Sequence, residues 1–213
     1  LTITNQSKSP LASISDFVID IKAGSEFAVA ATKSYTAQLT SVAMLAAAWS
    51  DNSSLWQDLR KVPEHIREVI KSDNQVNAYA SRYRYMDQCV VLGRGYNYAT
   101  AFEWSLKMKE LTYVVAQPYS SADFLHGPIA LVSHGFPVFA IATKGAVYND
   151  MENLLRMLKS KHKAELFLIS DNQELLKLAD CPVPFPMDVP EWLSPIIGII
   201  PAQLFCFHLS NIK

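Results

Sequence analysis

Four side chains between residues 103 and 128, in EWSLKMKELTYVVAQPYSSADFLHGP, are of types and spacings that can do acid/base chemistry. Glu103, Lys107 and Glu110 recur at intervals of four and three, and His126 follows in a His-Gly-Pro turn. On a helix turning about 100° per residue, Lys107 falls about +40° and Glu110 about −20° from Glu103, so the three share one stripe. Phe102, Leu106 and Tyr113 flank it on one side, Trp104, Met108 and Leu111 on the other, with Ser105, Lys109 and Thr112 on the back. Two readings stay open. One is a pair of i,i+4 and i,i+3 ion pairs on a solvated face, each contributing about 0.2–0.5 kcal/mol. In the other, Glu110 and Lys107 face a partly desolvated cleft. Burial there raises a carboxylate pKa and an ammonium lowers it, which suits proton abstraction.

His126 adds weight to the second reading. It follows the polar run QPYSSADFL, read as a loop, and precedes Gly127-Pro128, so it cannot lie mid-helix. Most lone loop histidines are surface or structural residues. One that follows a helix bearing Lys and Glu is a candidate general acid or base. The remaining histidines are weaker candidates: His65 and His162 in charged helical surroundings, His134 in a Ser-His-Gly turn, His208 in an apolar segment. Gly93-Arg94-Gly95, between a strand and a helix, either cradles a phosphate or is a tight turn that lets strand and helix pack closely.

The elements that position these residues follow an α/β pattern, short apolar runs alternating with helical ones, which predicts a doubly wound parallel sheet. LTITN and DFVIDI are predicted strands. Residues 32–50 are predicted to form a helix, apolar or small nearly all round from Ala37 and therefore buried on most sides. DNSSLW marks a boundary, and Pro63 suits the first turn of a short helix over residues 63–71. QCVVLGRG, PVFAIAT, AELFLIS and CPVPFP read as strands. ATAFEWSLKMKELTYV, NDMENLLRMLKS and NQELLKLA read as helices, and a last apolar helix begins near Glu191, with Pro195 early in it and Pro201 kinking it. These elements divide into residues 1–52, the later half of one α/β unit, a linker over 53–72, and a second unit over 73–213.

Composition excludes several classes. Half of the 213 residues are apolar and 18% charged, and the net charge of −1 leaves no footprint for nucleic acid or an acidic membrane. Cys89, Cys181 and Cys206 are far apart with no CxxC pair, which reads as reduced core cysteines, without a metal site, in a reducing, cytoplasmic setting. No run of about 18 uninterrupted apolar residues appears, and IIGIIPAQLFCF is too short to span a bilayer. The chain opens with Leu, on a strand in progress, with no signal peptide.

LGRGYNYATAFEWSLKMKELTYVVAQPYSSADFLHGPIALV resembles the sugar isomerase (SIS) domain family, as the second SIS domain in the isomerase half of glucosamine-6-phosphate synthases. AGSEFAVAATKSYTAQL, residues 23–39, is similar to the end of the first SIS domain. The resemblance covers nearly the whole chain in order and implies the flavodoxin-like three-layer αβα fold, one copy partial and one nearly complete. It makes Glu110 the base that moves a proton between C1 and C2 of an open-chain sugar phosphate, His126 the group that assists ring opening, and Lys107 a polar partner in the site. Val29 and Ala31 would line the sugar pocket through backbone contacts, and Thr32 begins a helix whose free N–H groups could hold a polar ligand. The resemblance further implies a phosphorylated aminosugar substrate, no cofactor, and a homodimer whose active site takes its histidine from the neighbouring subunit.

Ala31 stands where synthases have serine, and VAATKSYT and PYSSADFLHGP look more like the stand-alone branch without a glutaminase domain. The expected activity is therefore deamination of glucosamine 6-phosphate to fructose 6-phosphate and ammonia. The alternatives are the isomerase part of a glutamine–fructose-6-phosphate aminotransferase, deglycation of a sugar–amino-acid phosphate, or a non-catalytic sugar-phosphate sensor. A Ser-x-Ser-Gly-x-Thr phosphate loop and a tail lysine of the family have no counterpart in this sequence. Truncation at both ends, and an inactive fragment, are the expectation.

Overall fold

The computed structural model describes all 213 residues, in two compact units, Leu1–Lys61 and Val62–Lys213. In the first unit, β1 (Thr2–Thr4) pairs in parallel with β2 (Val18–Asp20), Thr2 opposite Val18. Between them lies α1 (Pro10–Ser13), whose first turn is set by Pro10 and by the Ser9 hydroxyl, which accepts from the Ala12 N–H. After β2, residues 21–32 cross without helix or strand to α2 (Lys33–Trp49).

The expectation that α2 is buried on most sides fails: only Ala43 and Ala47 are buried, and Val42, Met44 and Trp49 are exposed. A two-stranded sheet is too narrow to cover more than one edge of a 17-residue helix. The Thr40 and Ser41 hydroxyls donate to the Thr36 and Ala37 carbonyls, so the helix satisfies its own polar side chains without a second layer.

The next helix, α3 (Ser53–Ile70), runs unbroken through Pro63, where a short helix over 63–71 is predicted. Pro63 removes one backbone bond, but it lies on the exposed side. The opposite side buries Leu59, Val62 and Val69 at helical spacing, enough to carry the helix through.

The second unit continues with α4 (Asp73–Ala80), β3 (Gln88–Gly93), α5 (Asn97–Thr112), β4 (Val115–Ser120), α6 (Ser121–Leu125), β5 (Pro137–Ala142), α7 (Tyr148–Met157), β6 (Glu165–Ser170), α8 (Gln173–Leu176), β7 (Cys181–Pro184) and α9 (Ser194–Ile212). All five strands are parallel, in the order β4-β3-β5-β6-β7, so the chain winds one way from β3 and then the other. Side-chain alternation divides the core in two. Phe139 and Phe167 meet Tyr83, Trp104 and Phe205 in an aromatic cluster on the face of α4, α5 and α9. Val138, Ala140, Leu166 and Leu168 point the other way, to Phe124, Met151, Leu154, Leu155 and Leu175 of α6, α7 and α8. The fold is a three-layer αβα sandwich.

Two further readings need correction. The run read as a polar loop after α5 is edge strand β4 followed by α6. An edge strand needs hydrogen bonds on one side only, so it tolerates Pro118 and polar side chains. The segment Glu191–Ile212 is long and apolar enough to cross a membrane, although its central run is read as too short. Here 67% of its apolar window is buried, packed on α4, α5 and the sheet. Gly198 lets it lie close to β5, since a Cβ there would be 2.3 Å from Ile141 Cδ1.

Candidate active site

The acid/base stripe lies on α5, rotated from the expected placing. Two of the three residues read as its back, Ser105 and Thr112, are buried, Lys109 being exposed: Ser105 Oγ donates to the Ala116 carbonyl at 2.7 Å and Thr112 Oγ1 to the Met108 carbonyl at 2.6 Å. Small side chains satisfied in this way let α5 sit close on β3 and β4. Trp104 and Met108 are buried, whereas Phe102, Leu106 and Tyr113, read as one shoulder of the stripe, are exposed.

Within the stripe, Lys107 is the hub. Its Nζ lies 2.7 Å from Glu110 Oε2 and 3.3 Å from Glu103 Oε1, and side-chain exposure rises from 4% at Lys107 through 10% at Glu103 to 31% at Glu110. Burial pushes the Glu103 carboxyl above the usual range, offset only in part by the Lys107 charge and hydrogen bond, with the Glu110 charge adding to the rise. Burial opposes the Lys107 ammonium too, but the Glu110 hydrogen bond and the Glu103 charge outweigh it and hold the pKa above the ordinary lysine value. A fixed ammonium thus orients a carboxylate that still reaches solvent.

His126 is not brought to this pair within the chain. It is exposed at the C-terminal end of α6, where its N–H donates to the Asp123 carbonyl at 3.1 Å. Phe124 packs α6 onto one face of the sheet and Trp104 packs α5 onto the other, so Glu110 and His126 belong to opposite layers. Two cavities of the second unit lie away from Glu110. One of about 370 Å³ is lined by Arg94, Ser121 and Asp150, the other, of about 430 Å³, by Gln75, Phe185 and Met187 among others.

The Gly93-Arg94-Gly95 turn serves close packing. A Cβ at Gly93 would be 2.2 Å from the Asn97 carbonyl oxygen. Arg94 is engaged by Asp150 at 2.8 Å and donates to Ser121 Oγ at 3.3 Å. No three His, Cys, Asp or Glu side chains are grouped to hold a metal ion, and all three cysteines are free and buried.

In the first unit, Val29 is almost fully exposed, Ala31 is half-buried, and Thr32 occupies the N-cap position of α2 without a side-chain cap. The N-terminus of α2 is not wholly free, as the sequence reading has it. Glu26 Oε2 accepts from the Ser34 N–H at 3.3 Å and from Ser34 Oγ at 2.5 Å. Sequence reasoning misses this contact because an acid eight residues before its partner lies outside the three-residue spacing of a capping box. A cavity of about 590 Å³ in this unit is lined by Asn5, Asp20, Lys22 and Glu26 among others.

The class the structure defines is a doubly wound αβα fold with a Lys-held carboxylate on one of its outer helices. Residues 1–48 and 84–212 match the SIS domain pattern, and the chain belongs to the SIS domain family. It is 35% identical to the glutamine–fructose-6-phosphate aminotransferase (isomerizing) of Thermococcus kodakarensis over 100% of its own length and 36% of that protein's. It is 33% identical to the mouse enzyme 2 of that name over 99% of its length and 32% of the relative's, so it spans about a third of the curated relatives it matches. Among solved structures, the C-terminal domain of glucosamine-fructose-6-phosphate aminotransferase from Francisella tularensis superposes with a TM-score of 0.89 at 25% identity, over 99% of this chain and 62% of that one. Glucosamine-6-phosphate deaminase from Thermotoga maritima superposes with a TM-score of 0.72 at 25% identity, over 98% and 60%.

Proposed function

We propose that this chain is the isomerase portion of a glutamine–fructose-6-phosphate aminotransferase, acting on a hexose 6-phosphate through Glu110. The observation that carries this reading is the 35% identity to such an enzyme along the whole chain. It reverses the order expected from the motifs, where the deaminase came first; likeness to the deaminase is lower, at a TM-score of 0.72 against 0.89.

In this reading His126 assists opening of the sugar ring. Ammonia adds at C2 of open-chain fructose 6-phosphate, and water leaves to give the imine. Glu110 takes a proton from C1 as the imine nitrogen gains one, giving the enolamine, and returns a proton to C2 as the O1 hydroxyl loses its own, giving the 2-amino aldose. Lys107 holds and aims the carboxylate, and Val29, Ala31 and Thr32 form the sugar-facing wall. A positioned base of this kind contributes about 10²–10⁴-fold, with proximity supplying more. The opposite-layer placement of Glu110 and His126 favours a homodimer in which each site takes its histidine from the other subunit.

The test uses the product of the whole reading frame that contains this sequence. Glucosamine 6-phosphate formation from fructose 6-phosphate, with glutamine or ammonia, is measured beside ammonia release from glucosamine 6-phosphate. Synthesis outpacing release supports the proposal. Release alone assigns the deaminase, and activity in neither direction leaves a sensor.

A further inference from the structure

The segment between β2 and α2 carries Val29, Ala31 and Thr32 but has no helix or strand of its own to hold it. Side chains hold it instead. At its start, Asn5 bridges residues 23 and 24: Asn5 Nδ2 donates to the Gly24 carbonyl at 2.6 Å, and the Ala23 N–H donates to Asn5 Oδ1 at 2.9 Å. Next, Lys33 Nζ donates to the Ser25 carbonyl at 2.6 Å. Glu26 then spans to Ser34, accepting from both its hydroxyl and its N–H. Ser25 and Glu26 are thus stitched to Lys33 and Ser34, and residues 27–32 become a closed loop with its ends tied. Within it Ala30 is buried, while Phe27 and Val29 stand out almost fully exposed.

Glu26 is the carboxyl member of this clamp and faces the start of α2. The first N–H groups of a helix lack internal partners, and the helix dipole is positive there, so a carboxylate is held more firmly than a neutral acceptor. An N-cap side chain would ordinarily supply that acceptor, but Thr32 makes no such bond. Glu26 supplies it from eight residues upstream, and in doing so closes the loop.

We propose that Glu26 is a positioning residue for the sugar-facing loop: its contact with Ser34 fixes residues 27–32, and with them the backbone of Val29 and Ala31, in the shape that meets substrate. This rests on the assignment of Val29 and Ala31 to the substrate wall made above. Glu26 acts through the loop. Its loss weakens substrate binding and leaves the chemical step on Glu110 in place.

The experiment compares Glu26→Ala, Ser34→Ala, their double variant and Glu26→Gln with the wild type, all in the whole-reading-frame protein. Hydrogen exchange is read at amides 27–34 against the β1 and β2 amides as an internal control, and fructose 6-phosphate kinetics are measured on the same samples. Exchange over 27–34 is expected to quicken about ten-fold in Glu26→Ala and less in Ser34→Ala, which keeps the Ser34 N–H bond, with the double variant no faster than Glu26→Ala, because the hydroxyl bond is already lost there. KM is expected to rise about ten-fold with kcat within about three-fold, and Glu26→Gln, which keeps an acceptor, to recover part of the loss. Unchanged exchange, or single effects that add in the double variant, overturns the clamp. Quickened exchange with an unchanged KM overturns its role in positioning. A wild type inactive on sugar phosphates counts against the functional reading instead, and the exchange result decides the clamp by itself.

Discussion

Lys107 and Glu110 share one ion pair at two depths: Nζ and Oε2 are 2.7 Å apart, but the lysine side chain is 4% exposed and the glutamate 31%. The inner partner is also held by Glu103 at 3.3 Å, so it cannot follow the outer one into solvent without leaving a buried carboxylate behind. The ammonium is therefore a fixed post and Glu110 the group that hangs from it. This asymmetry separates what each residue contributes to activity and to stability.

Replacing Glu110 by Gln tests the outer partner. The side chain is partly solvated, so the fold should lose no more than about 1 kcal/mol. Turnover of fructose 6-phosphate should fall by about 10²–10⁴-fold if the carboxylate moves the proton. Steady-state rates and a thermal melt on one preparation separate the two effects. A variant as active as the wild type excludes Glu110 as the base.

Replacing Lys107 by Met should act mainly on the fold. It leaves Glu103 buried without its cation, a loss of about 3–5 kcal/mol. The double variant Glu103→Gln, Lys107→Met removes the stranded charge and should recover most of that loss, so the two substitutions couple strongly. Urea unfolding of the four members of the cycle measures it. Additive effects would mean that Glu103 and Lys107 do not depend on each other.

The sheet, α5 and the Glu103–Lys107–Glu110 stripe are legible in the sequence because periodicities of two and 3.6 reflect burial directly. The side of α5 that turns inward is not. Ser105 and Thr112 look like an outer face by type, yet each spends its hydroxyl on a nearby carbonyl and packs as a small apolar residue would. Strand β4 was hidden for a related reason, since an edge strand carries Pro118 and polar residues that read as loop. The Glu26–Ser34 clamp joins residues through a loop shape that no local spacing encodes. His126 is legible as a residue type, but its distance from Glu110 is a property of the winding of the sheet, which a motif does not carry.

The glycine turn before α5 gives a prediction about packing. A methyl group at Gly93 would meet the Asn97 carbonyl oxygen at 2.2 Å, and this atom is backbone at the start of α5, unable to swing aside as a side-chain end would. Gly93→Ala should therefore push α5 off β3 and destabilise the second unit by more than the 1–3 kcal/mol typical of overpacking. It should also disturb the buried amide of Asn97, whose Nδ2 donates to Thr143 Oγ1 at 3.1 Å and to Ser194 Oγ at 2.8 Å. Chemical denaturation reads the loss. A variant as stable as the wild type would show that strand and helix have room to separate.

The last prediction concerns acid. Asp180 Oδ2 accepts from Lys159 Nζ at 2.6 Å and from the Leu166 N–H at 2.8 Å, linking the turn before β7 to the end of the α7 segment and to β6. Burial raises the pKa of this carboxyl, but the Lys159 hydrogen bond and the Leu166 N–H outweigh burial and leave it below the ordinary aspartate value. A carboxyl lowered in the folded state binds protons less readily there than in the unfolded chain, whose aspartates titrate near about 3.9. Its stabilising contribution is thus complete above about pH 5 and is lost as pH falls through the unfolded value and on through the lowered folded one. Asp180→Asn keeps an acceptor for Leu166 but has no charge to titrate. Urea midpoints from pH 7 to pH 3 should show the wild type ahead at neutral pH and the gap narrowing on the acid side. A gap that stays constant across the range would mean that the Lys159 contact adds nothing through its charge.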